Sequence, residues 1–217
     1  MKKIKPFLLA VLLITIYSCG GGGGSSSGGG GGSSSGDFSY LNQHNARFND
    51  GVTIRWQTPI QVNTNGIQGA EDSFRQWGLP FTFVNFNPAE GIVLTVGDPG
   101  SGNCGVTSSQ WVRSNGRMIS ANIVINSDLR GCVQTITHEA GHAIGFEDHT
   151  SDGGLMDPNG GNGQITAPVR NMINLLYSLP IGTNVNQLLA LRSQNLLPTL
   201  TNKQIPDGGG IVTRVIQ

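Results

Sequence analysis

The stretch Thr137–Pro158, THEAGHAIGFEDHTSDGGLMDP, restricts this chain more than any other part of it. His138 and His142 stand four residues apart, with Glu139 directly after the first. On an α-helix a step of four returns to nearly the same face, so both imidazoles can point at one spot. Two neutral imidazoles at that separation suit a zinc ion. Glu139 is rotated away from the pair but can still reach a water bound to the same metal, where a general base is needed.

The pattern continues past the second histidine. Gly145 can take the positive φ that ends a helix and turns the chain back. The returning chain can then deliver a third ligand: Asp148 lies ten residues after His138, and His149 follows it. Met156 comes eight residues beyond Asp148, inside Gly-Leu-Met-Asp-Pro. A lone His-x-x-x-His on a helix is usually incidental, and a structural zinc site usually closes with four protein ligands and favours cysteine. Three ligands leave a position open for water.

These residues resemble the extended motif of the metzincin metalloproteases, HExxHxxGxxH followed by a methionine-containing turn. His138, Glu139, His142, Gly145 and Met156 match it. Counting without gaps puts Asp148 at the third-ligand position, which is similar to the snapalysin-like members with HExxHxxGxxD and a histidine just after. Asp148 is preferred because it needs no insertion, and a carboxylate is an ordinary third zinc ligand. The alternative slides by one residue, so that His149-Thr150-Ser151-Asp152 resembles the His-Ser-Ser-Asp of matrixins.

The resemblance implies an α+β fold of zincin type: a twisted mixed sheet of about five strands with an antiparallel edge strand, packed on an active-site helix and two further helices. It also implies a Zn2+-dependent endopeptidase, with the metal on His138, His142 and Asp148 (alternative His149), Glu139 as general base and Met156 packed beneath the metal. The substrate is then a protein or peptide, and the chain a monomer. Pro158 stands where some metzincins carry a tyrosine, and a structural Ca2+ has no assignable ligands. Two rival functions stay open. One is a surface-tethered binding or adhesion module on a degenerate protease fold, favoured if Asp148 and His149 both bind zinc. The other is a metallopeptidase acting on peptidoglycan peptides.

The beginning of the chain reads as an export signal. Lys2, Lys3 and Lys5 precede an apolar core from Phe7 to Ile16, too short for a comfortable membrane span. Ile16-Tyr17-Ser18-Cys19 resembles a bacterial lipobox, which implies lipid on Cys19 and a signal peptide over 1–18. Gly20–Gly36 repeats five glycines and three serines twice and cannot pack a core. As a coil it spans roughly 20–25 Å, enough to hold a domain clear of a membrane. The expected location is the bacterial cell envelope, lipid-anchored at the outer membrane or cell surface; secretion is the alternative. The thirteen basic and thirteen acidic residues become ten against thirteen once the three lysines are removed. With no basic patch, nucleic acid is not an expected partner.

The catalytic domain is expected over 37–179, with a C-terminal extension of unknown role over 180–217. No segment of pro-domain size precedes the first strand, so latency through a propeptide cysteine is not expected. Alternation in Val52–Thr64 reads as a strand, the spacing of Ile67, Ala70, Phe74 and Trp77 as a helix, and Phe81–Phe86 as a second strand. Ile92–Val96 reads as a strand covered on both faces. Cys104–Val112 resembles the edge strand that borders the metzincin cleft and pairs with an extended substrate. Met118–Asn126 is a further strand, and Leu129–Ile144 the helix carrying the histidines, capped by Ser127 or Asp128. Thr166–Tyr177 is amphipathic, with Val169, Met172, Ile173, Leu176 and Tyr177 inward. Val185–Leu196 reads as helix and Ile211–Ile216 as strand. In an exported chain Cys104 and Cys132 are expected to pair; a cysteine-switch role for Cys104 is the weaker alternative.

Overall fold

The computed structural model describes residues 38–100, 102–128, 132, 134–159, 161–194 and 210–217. The signal, Cys19 and tether readings lie outside these residues. Among the described residues no helix is long and apolar enough to cross a membrane. The described residues form five α-helices, Phe38–His44 (α1), Ala70–Arg75 (α2), Thr135–Ala143 (α3), Ala167–Ser178 (α4) and Val185–Ser193 (α5), and six strands: Ile60–Asn63 (β1), Phe81–Phe83 (β2), Gly91–Gly97 (β3), Gly105–Val112 (β4), Met118–Asn126 (β5) and Ile211–Ile216 (β6). The class is α+β around one mixed sheet in the order β2-β1-β3-β5-β4-β6. β2, β1, β3 and β5 run parallel, and β4 runs antiparallel to both β5 and β6.

Several elements are shorter than their apolar patterns suggest. The expected strand over Val52–Thr64 survives only as β1, because Pro59 has no N–H to give a ladder. Val52 and Arg55 make isolated bridges to Asn184 and Arg117 instead. α2 starts at Ala70, after Asn65, Gly66 and Gly69 have taken left-handed φ values. Its apolar stripe is nonetheless inward, with Ala70, Phe74 and Trp77 buried. The histidine helix starts at Thr135, seven residues after Asp128, so neither Ser127 nor Asp128 caps it.

The sheet is covered mainly on one face. Ile92 and Leu94 of β3 are buried, but Thr95 and Gly97 are exposed and Val96 is 53% exposed, which corrects the reading of a strand enclosed on both sides. β4 alternates strictly: Gly105, Thr107, Ser109 and Trp111 are buried, and Val106, Ser108, Gln110 and Val112 are half-buried. Three of its four inward residues are small, which lets α3 approach closely. Nor is β4 the edge. β6 pairs along it from Thr107↔Ile216 to Val112↔Ile211, so the edge strand comes from the C-terminal extension. α5 also joins the main core, through buried Val185 and Leu188.

Cys104 and Cys132 form a disulfide with Cα atoms 5.7 Å apart. It ties the start of β4 to the segment leading into α3. Closing a 28-residue separation is worth roughly 3–4 kcal/mol through the unfolded chain. Cys104→Ser/Cys132→Ser should therefore lower the unfolding free energy by about that amount in denaturant titrations; an unchanged midpoint would contradict the role assigned to the bond.

Candidate metal centre

Helix α3 carries the histidine pair, and its C-terminal carbonyls decide where the chain goes next. A helix end leaves orphan acceptors, and here side chains from distant elements satisfy them. Trp56 Nε1 donates to Ala143 O at 2.7 Å, Tyr177 Oη to Ile144 O at 2.9 Å, and Asn45 Nδ2 to Gly145 O at 2.7 Å. Asn45 also brackets Ile54, donating to its carbonyl and accepting from its N–H. Gly145 has φ +105°, and a Cβ there would lie 2.6 Å from Ile54 O, so only glycine fits the turn.

The reversed chain brings His149 back over the helix. The Nε2 atoms of His138, His142 and His149 lie 3.1–3.2 Å from one another. These three residues are close enough together to bind one metal ion. Two rings are oriented from behind: His138 Nδ1 donates to Leu155 O and His142 Nδ1 to Phe146 O, both at 2.6 Å. With those protons on Nδ1, the Nε2 lone pairs face inward. Burial lowers the basicity of all three rings, His142 well below its usual range and His149 to about 4. They are therefore neutral, the ligating form, at neutral pH.

Asp148, the preferred third ligand, is not in the cluster. Its Oδ2 accepts from Arg47 Nη2 and lies 3.6 Å from Nδ1 of buried His44. Successive residues of the returning segment point different ways, and Arg47 takes the carboxylate. The one-residue slide, with His149, is the arrangement the fold presents.

Glu139 is buried beneath β4. Thr107 Oγ1 lies 2.6 Å from Glu139 Oε2 and 3.1 Å from its carbonyl oxygen. A Cβ at Gly105 would lie 2.8 Å from Glu139 Oε1, so this carboxylate depends on a glycine in the facing strand. Burial pushes the Glu139 carboxyl up to about 7, against the Thr107 hydrogen bond, which lowers it. Met156 is buried, and its backbone carbonyl accepts from Thr150 N at 2.9 Å, joining the methionine turn to the residue after His149.

Asn45, Trp56, Thr107 and the carbonyls of Phe146 and Leu155 carry no motif of their own. The spacing of Gly105, Thr107 and Ser109 was the one available signal, a period-two row of small residues. Comparison of the chain with protein-family models and with curated proteins finds no match.

Two outcomes follow from this geometry. His149→Ala should weaken metal binding by more than the 10- to 100-fold that loss of an outer-shell partner typically costs, whereas Asp148→Ala should keep the metal. Competition with a chromophoric chelator reads both, and the reverse order would contradict the histidine cluster. At Gly141 a Cβ would lie 2.6 Å from Trp77 Cζ2 and 2.7 Å from Met156 Sδ. Gly141→Ala should destabilise by about 1–3 kcal/mol through overpacking, despite alanine's better helix propensity; a rise in thermal midpoint would show that the contact yields freely.

Proposed function

We propose that this chain is a zinc-dependent endopeptidase of metzincin-like architecture, exported and held at the bacterial cell envelope through lipid on Cys19, and acting as a monomer on protein or peptide substrates. The observation that carries the reading is the convergence of three imidazole nitrogens one helical position away from a buried glutamate. Three nitrogens of a tetrahedral zinc at ~2.0–2.1 Å stand about 3.3–3.4 Å apart, close to the 3.1–3.2 Å separations here. An all-imidazole set with outer partners on two rings fits zinc well, and an oxygen-seeking Ca2+ or Mg2+ poorly.

When bound, zinc would supply Lewis acidity toward a scissile carbonyl and toward a water molecule. The chain's own residues have separate tasks. His138, His142 and His149 hold the ion, and the carbonyls of Leu155 and Phe146 hold two of those rings in the ligating tautomer. Glu139 is the general base. Thr107 engages Oε2 and leaves Oε1 to take a proton and pass it to the departing amine. Its raised affinity for protons suits that exchange near neutral pH.

A four-ligand structural site, which would favour a binding module, draws no support from the position of Asp148, turned toward Arg47. Glu139→Ala should keep the metal and lower turnover of an unstructured protein such as casein by about 10²- to 10⁴-fold. Full turnover in that variant would remove Glu139 from its role, and stoichiometric metal without turnover in the parent would return the site to a binding function.

A further inference from the structure

The extension beyond α4 contributes β6, and its position bears on access to the metal centre. β4 is the strand laid against Glu139, through Gly105 and Thr107. Its edge away from β5 is where an extended peptide would add by backbone pairing, as such peptides do on open sheet edges. β6 occupies that edge in antiparallel sense over six residue pairs. Ile216 pairs with Thr107, the residue that touches Glu139, and Arg214 with Ser109. Arg214 reaches the segment that carries the third histidine: Nη2 donates to Glu147 O at 2.7 Å, Nε lies 3.5 Å from Glu147 Oε2, and the guanidinium stacks over Phe48.

The strand is weakly seated. Ile216 is its one buried residue, while Ile211 and Val215 are 45% and 47% exposed. Among the described residues it pairs on one side only. Few buried apolar residues and one-sided pairing mark a segment with a low opening free energy.

We infer that β6 is an intramolecular occupant of the substrate-backbone site: an autoinhibitory strand that covers the β4 edge and leaves it when an extended polypeptide is to bind. This inference rests on the endopeptidase reading. A substrate then competes with β6, and its apparent affinity falls by the fraction of molecules in which the edge is open.

The test compares the full chain, purified in detergent, with two released forms: a deletion of residues 195–217, and the full-length variant Val212→Pro, since proline disfavours ladder pairing. Metal content and circular dichroism establish that each form is folded and loaded. Both released forms should cleave casein with kcat/KM raised about 10- to 100-fold, as for an open fraction of about 1–10%. Added peptide Gly210–Gln217 should return the rate toward that of the full chain. Equal rates in the full chain and in a folded, metal-loaded released form would overturn the autoinhibitory strand and leave the endopeptidase reading standing. If no form cleaves any protein substrate, the endopeptidase reading fails, and fluorescence anisotropy of labelled Gly210–Gln217 decides the edge. Binding to a released form but not to the full chain would support a covered peptide-binding edge; binding to neither would overturn it.

Discussion

Three nitrogen lone pairs aimed at one point repel one another unless a cation lies among them. That constraint governs the molecule. The Nε2 atoms of His138, His142 and His149 stand 3.1–3.2 Å apart, and the Nδ1 protons that would otherwise relieve the repulsion are committed to carbonyls on two of the rings. Burial makes protonation of the rings costly as well, so the cluster cannot become cationic at neutral pH. A metal ion held by the three Nε2 atoms is a group that would resolve the conflict.

Holding that arrangement requires the end of α3 to be fixed, and three long-range side-chain hydrogen bonds converge there. Asn45, Trp56 and Tyr177 come from three separate parts of the chain, and each satisfies a carbonyl of the last residue of α3 or of the two residues that follow. On the other side, β4 offers small residues so that Glu139 can sit beneath it, with Thr107 as its partner. The sheet thus supports the helix, and the helix end aims the returning segment.

Much of this was legible in the sequence because it depends on local spacing. The His138–His142 step, the glycine that stops the helix and the buried stripe of α4 each follow from a helical period or a backbone requirement. The Cys104–Cys132 bond followed from reading the start of the chain as an export signal and from cysteine number. What was not legible depends on residues far apart in sequence. Asp148 and His149 are both residue types that bind zinc; Asp148 is drawn to Arg47, 101 positions before it, while His149 joins the histidine pair. β4 was read as an edge strand of scattered apolar residues, whereas its inward row is small and polar, and its outer side is filled by a strand about a hundred residues later. Pro59 shows the converse: a local chemical fact that the alternating pattern around it concealed.

The most direct test of the histidine cluster is X-ray absorption at the zinc edge of the metal-loaded chain. The account predicts three imidazole nitrogens and one oxygen ligand at ~2.0–2.1 Å, with multiple-scattering features of three rings that fall to two in His149→Ala. A spectrum with two imidazoles and a protein carboxylate in the parent, unchanged in His149→Ala and altered in Asp148→Ala, would contradict it.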